Sequence, residues 1–388
     1  MQPRLNFLQI IISFYLLILM SIITVILDYK IFILVNSFLY ISLFLYLLLI
    51  NKTDLFFKLF LIILLLINLS TITTSWDARS IWLFKTKIFF YESNIFNFES
   101  HPQFTHPTYP FLGPLFASIF VKTFNFWNEI YPKIGIFFLF IPPLIYLSKT
   151  FKKNFLYACL SLLLFILGKY FFNGEMDGLI SIYFLVSLIL TYEIIFLKDN
   201  KDFKIIILFL NNIVISLLKF EGTVLVLIIA SIFFFYFFFS KKISLKILFL
   251  IIISTLPSLI WFLYSNHLNI LHNLNDSSFS LDNLINRIDN FNSFFLIFKF
   301  FVSDEKFLLS LIIFIYFYFK QKGPKDLFNL TILTNLLYLM ILIIFYLSTN
   351  FDLEWHLSSS ANRVIKPITL SLIVIILYNI YLKKLKNN

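Results

Sequence analysis

A chain of 388 residues that is 60% hydrophobic and only 13% charged excludes a soluble globular domain. Its mean hydropathy of +0.91 reads as a polytopic helical membrane protein, and its formal net charge of +11 has to be tested against membrane sidedness before any nucleic-acid partner is considered. A lone cysteine, Cys159 in an apolar run, excludes a disulfide within the chain.

Apolar segments are predicted at 5–27, 31–50, 56–74, 131–148, 154–172, 178–197, 204–218, 223–239, 244–264, 294–319, 327–348 and 364–382. These are about twelve candidate spans, most near the roughly 20 residues that a bilayer core requires. The first lacks a small-residue cleavage site and is read as a retained helix. Residues 204–239 are divided in two, because a single helix would run about 54 Å against a core of about 30 Å. The break falls at Lys219-Phe220-Glu221-Gly222. Segment 111–124 is shorter and carries Gly113, Pro114 and Lys122, so it is predicted to be re-entrant or interfacial.

Charge tests this count. With both termini cytoplasmic and 111–124 not crossing, the clusters at Arg4, Lys52, Lys149, Lys198, Lys241, Lys320 and Lys383 all fall inside. They hold well over half of the 31 basic residues, so sidedness accounts for most of the net charge and no nucleic-acid partner is called for. A crossing at 111–124 would move the five later clusters outside. The opposite face then receives the loop 75–110, Glu175 and Asp177, the break at Lys219 and Glu221, the loop 265–293, and Asp352 to Arg363. Residues 1–54 read as two N-terminal helices added to a unit at 55–388.

The loop 75–110 holds Asp77, Arg79, Lys85, Lys87, Glu92, Glu99, His101 and His106 among aromatic residues, which points to an enzyme working at the bilayer surface. Ser75 is the expected N-cap of an amphipathic surface helix over 77–91. Asp77 and Asp177 each have a plain alternative role, complementing the positive end of a helix. Lys219 and Glu221 could be a solvated hairpin tip, although ionisable groups at the end of a membrane span are functional candidates. His101 and His106 are each followed by proline, a loop-like spacing without the facing pair of a zinc helix, so no metal is expected.

Ser75-Trp76-Asp77-Ala78, Lys85-Thr86-Lys87 and His106-Pro107-Thr108-Tyr109-Pro110 together resemble the first outer loop of the GT-C membrane glycosyltransferases. The closer likeness is to the bacterial relatives of protein O-mannosyltransferases and of the lipid A aminoarabinose transferase. Asn173 to Asp177 is similar to the family's second-acid motif, and Lys219-Phe220-Glu221-Gly222 to its Lys-Asn-Glu-Gly. Trp355-His356 with Asn362-Arg363 resembles a Trp-His…Asp-Arg motif, with Asn in the acid's place. The likeness spans most of 70–367 and leaves residues 1–54 uncovered.

The resemblance implies an all-α transmembrane bundle of GT-C type and an inverting glycosyltransferase in the bacterial cytoplasmic membrane, its site facing the periplasm. It implies a polyprenyl-phosphate sugar donor, a glycan, lipid or protein acceptor of the cell envelope, and no nucleotide cofactor. Asp77 would be the base, or would orient the acceptor, with Asp177 as the second acid. Lys219 and Arg363 would hold phosphate, backed by Arg79 and Lys85. Glu221 would position sugar or acceptor, and Trp76, Trp82 and Tyr109 would offer stacking or interfacial surface. His106 and His356 complete the expected substrate site. An O-antigen polymerase or ligase is the alternative, but its outer loop usually comes late in the chain. A transporter ranks lower, because few glycines and charges at helix ends give no sign of matched broken helices.

Overall fold

The structure is a computed structural model that describes residues 6–49, 53–92, 106, 108–197, 201–240, 243–267, 280–321 and 324–387. Among these residues the chain is helical throughout and contains no strand. In chain order the helices are α1 (Phe7–Leu27), α2 (Lys30–Leu49), α3 (Leu55–Ser70), α4 (Phe84–Tyr91), α5 (Leu112–Phe124), α6 (Ile130–Leu139), α7 (Ile141–Thr150), α8 (Lys153–Leu167), α9 (Asp177–Phe196) and α10 (Lys201–Ser216). They continue with α11 (Phe220–Phe235), α12 (Leu245–Ile253), α13 (Leu256–His267), α14 (Leu281–Ile288), α15 (Phe291–Val302), α16 (Glu305–Lys320), α17 (Asp326–Ser348), α18 (Leu353–Val364) and α19 (Lys366–Asn387). Helices satisfy their own backbone groups, which a hydrocarbon environment demands.

Nine helical runs among the described residues are long and apolar enough to cross a membrane, so the chain is a multi-pass membrane protein with fewer qualifying spans than the twelve segments expected. Three of those segments fall short for separate reasons. Over 56–74, α3 stops at Ser70, where Thr71 turns extended and its N–H closes on the carbonyl of Ile67. Over 204–218, α10 has 16 residues, about 24 Å of helix against a core of about 30 Å. Over 294–319 the helix is broken at Ser303-Asp304, because the Asp304 carboxylate caps α16 at the N–H of Phe307 and pairs with the buried Lys366.

Contacts at one end of the bundle gather the lysine clusters. Lys149 lies over the Phe7 ring, Lys204 pairs with Glu193 at 2.9 Å, and Lys384 lies over Phe155. Glu193 also accepts from Tyr146 and Tyr378, which ties α7, α9, α10 and α19 together at that end. The N-terminal pair belongs to the same core. Tyr15 donates to Asn211 Oδ1 at 2.5 Å and Tyr40 to the carbonyl of Phe138 at 2.6 Å, both wholly buried.

Helix α5 begins with the Leu112 N–H on the carbonyl of Leu217 and ends with Lys122 paired to Asp28. Both ends therefore lie away from the lysine clusters, as expected of a segment that does not cross. Leu112 to Val121 are all buried among the surrounding helices. The expected surface helix over 77–91 is different from its prediction. It is a π-helical turn, Ala78–Leu83, running into α4, and Trp82, Lys85, Thr86 and Phe89 bury one side of it. Ser75 is not its N-cap, because its hydroxyl donates to Glu175 instead.

Candidate functional site

Four turns at the end opposite the lysine clusters converge. The first precedes the π-helical turn and carries Ser75 to Asp77. The second, Phe172 to Met176, joins α8 to α9. Gly174 takes φ +83° there, and a Cβ would sit 3.3 Å from that of Ala78, so glycine permits both the turn and the close approach. The Asn173 side chain accepts from the Glu175 N–H at 3.0 Å and sets Glu175 against Ser75.

The third turn lies between α10 and α11. Lys219 is extended, and Gly222 comes so close to α10 that a Cβ there would stand 2.0 Å from the carbonyl oxygen of Ile215. Only a glycine lets α11 start at that spot. The fourth is the end of α18, which presents Arg363.

These turns assemble three ion pairs in two groups. Arg363 Nη1 donates to Asp77 Oδ2 across 286 residues, with both side chains about one-fifth exposed. Lys219 Nζ lies 2.9 Å from Asp177 Oδ1 and 2.9 Å from Glu221 Oε1. The backbone between Lys219 and Glu221 bends enough for the two to meet, which their spacing alone did not assure. Burial by itself would lower the Lys219 ammonium, but Asp177 and then Glu221 outweigh it and hold the group well above its ordinary value. Burial, reinforced by Asp177, pushes the Glu175 carboxyl above the ordinary range, with the Ser75 hydroxyl and Arg363 opposing.

The cluster retains unused hydrogen-bonding capacity. Glu175 Oε2, Asp177 Oδ2, Glu221 Oε2 and Arg363 Nε are buried and have no partner among the described residues. Buried polar atoms are nearly always paired, so these four are positions that water or a ligand can satisfy. Among the described residues no three His, Cys, Asp or Glu side chains converge as a metal ligand set.

A cavity of about 200 Å³ leads from this cluster between α11 and α17. Its polar end is formed by His106, Glu221 and His356. Its walls are Val224, Leu342, Ile341 and Phe345, the last two exposed on the outer side of α17. His356 is held by Thr349 Oγ1 at 2.9 Å and caged by Phe345, Tyr346 and Phe351.

Two expected substrate contacts, Arg79 and Lys85, are placed elsewhere, and Tyr109 keeps a place at the cavity without an open ring face. Arg79 turns outward to the exposed Glu129 at 3.7 Å, since residues two apart on a helix face different ways. Lys85 is buried beneath the His106–Pro110 turn with Nζ 2.7 Å from the Tyr109 carbonyl, and burial pushes the ammonium down to about 7. Tyr109 is stacked between His106 and Trp82, so neither ring face is open to a sugar, and it meets the cavity by its edge. Trp82 is fully buried and serves neither as stacking surface nor as interfacial anchor. Trp76, beside Asp77, remains exposed. His101 and Glu99 lie outside the described residues.

Sequence reasoning gave Glu175 no role, although its place two residues before Asp177 was a usable signal. Tyr338 and Tyr346 were also missed. Eight residues apart on α17, Tyr338 lines the cavity and donates to the Val364 carbonyl, and Tyr346 pairs with Ser360 and packs on His356. Comparison of the chain with family models, with curated proteins and with solved structures finds no match.

Proposed function

We propose that this protein is an integral-membrane glycosyltransferase that moves a sugar from a polyprenyl-phosphate donor to a cell-envelope acceptor at the face bearing Asp77 and Arg363. The observation that carries the reading is a buried cluster of acids and cations with orphaned polar atoms, joined to a cavity whose apolar walls reach the lipid-facing side of α17. A ligand that suits it is amphiphilic, with hydroxyls and a phosphate at one end and an isoprenoid chain at the other.

In this reading the acceptor hydroxyl oxygen attacks the anomeric carbon, the bond from that carbon to the phosphate oxygen breaks, and polyprenyl phosphate leaves with the electron pair. Asp77 takes the acceptor proton. Arg363 and Lys219 stabilise the charge that develops on the departing phosphate, with Arg363 offering its Nε–H. The unpaired oxygens of Asp177, Glu175 and Glu221 accept from sugar hydroxyls. Arg363 is paired with Asp77, so an incoming phosphate competes for the guanidinium and frees the carboxylate for the acceptor. Both termini and the lysine clusters are cytoplasmic, and the site faces the periplasm.

The test is single-turnover transfer of labelled sugar from polyprenyl-phosphate donors to membrane acceptors, using purified protein. Asp77→Asn is near-isosteric and removes the proton acceptor, so transfer falls by about 10²–10⁴ while the melting temperature holds. Transfer by Asp77→Asn at the wild-type rate refutes the assignment.

A further inference from the structure

A second cavity lies at the C-terminal ends of α1, α4 and α5. It is about 610 Å³ and is lined by Asp28, Lys30, Phe90, Tyr91, Asn125 and Trp127. None of these residues serves the transfer chemistry described above. Two independent rulers place it. From Ala78 to Tyr91, and from Leu112 to Phe124, the chain runs helically away from the cluster, and at about 1.5 Å per residue each run covers about 20 Å. The start of α5 is fixed by its bond to Leu217, two residues before Lys219.

The lining suits a polyhydroxyl ligand. Tyr91 is exposed, Phe90 and Trp127 lie 6.3 Å apart with planes tilted by 38°, and Lys87 stands over the Trp127 ring at 5.8 Å. Ring faces of this kind pack against the apolar face of a pyranose, while a few fixed polar groups orient its hydroxyls. Those groups are present. Asp28 and Asn125 close α1 and α5 in the left-handed conformation, at φ 48° and 52°, and both line the cavity. The Lys122 side chain is nine-tenths buried and paired with Asp28. That pairing satisfies Asp28 and Lys122, and Lys30 and Lys87 add cationic donors beside the rings.

We propose that this cavity binds the acceptor glycan, holding sugars several residues back from the hydroxyl that receives the new one. The proposal rests on the glycosyl-transfer reading, and the separation of about 20 Å makes the acceptor an oligosaccharide rather than a single sugar.

The test is binding of full-length protein in nanodiscs to an array of cell-envelope-type oligosaccharides of increasing length. The wild type retains a set of the longer members and no monosaccharide. Tyr91→Ala, which removes an exposed ring, lowers that binding by about tenfold, and Trp127→Ala, checked for an unchanged melting temperature, lowers it at least as far. An array on which the wild type retains nothing overturns the proposal, as does full retention by both ring variants. So does loss, in those variants, of binding to anionic phospholipid vesicles in place of glycans. The transfer reading fails separately, through an active Asp77→Asn enzyme, and leaves the array result standing.

Discussion

Lys219 offers the sharpest test of how this site is built. Its ammonium bridges Asp177 and Glu221 at 2.9 Å each, and the residue is 4% exposed. Replacing it with leucine leaves two carboxylates without their cation. Glu221 is partly exposed and can be rehydrated, but Asp177 is buried and cannot. Removing one partner of a buried pair costs about 3–5 kcal/mol. At about 2 °C per kcal/mol for a chain longer than 250 residues, Lys219→Leu lowers the melting temperature by about 6–10 °C. The double variant Asp177→Leu/Lys219→Leu removes the buried pair together, and replacement of whole pairs by apolar groups is often neutral, so it recovers most of that loss. Melting of purified protein in one detergent, read by intrinsic fluorescence, measures both. A single variant that melts with the wild type, or a double variant that melts below the single, refutes the argument that the pair is buried and mutually compensating.

Gly222→Ala drives a Cβ into the Ile215 carbonyl and abolishes accumulation of folded protein, whereas Gly113→Ala meets only the flexible Met176 side chain and is tolerated; expression and gel filtration compare them. Glu175→Gln changes the pH profile of stability. The folded carboxyl titrates above its ordinary value of about 4.3, so its contribution is present below that pH and is lost as pH rises through the folded value. The glutamine variant lacks that loss, so its melting advantage over wild type grows across the same window in a pH series. Arg287 donates to the carbonyls of Tyr346, Leu347, Thr349 and Phe351. Arg287→Ala therefore costs about 1–3 kcal/mol and speeds hydrogen exchange around 346–356, which exchange mass spectrometry reads. For sidedness, in a chain with Cys159 replaced by alanine, Trp76→Cys reacts with a membrane-impermeant thiol reagent from outside and Lys152→Cys does not; the reverse pattern inverts the topology.

The membrane-protein class, the positions of most helices and the gathering of lysines at one end were legible in composition and spacing. Hydrophobic run length and charge asymmetry are local quantities that survive without a fold. The break at Lys219 to Gly222 and the unusual character of 111–124 were legible for the same reason, since a charged interruption and a short run stand out in one dimension. Other features depended on neighbours that the sequence does not order. The segment 294–319 read as one span, but Asp304, by capping α16 and pairing with Lys366, ends one helix and starts another. Arg79, Lys85 and Tyr109 carry the expected chemistry in the expected loop, yet helix phase turns Arg79 outward, Lys85 is buried beneath the turn, and Tyr109 is stacked against His106 and Trp82. The pairing of Asp77 with Arg363 joins residues 286 apart, and only tertiary packing decides it, because an ion pair is a matter of distance and burial rather than of residue type.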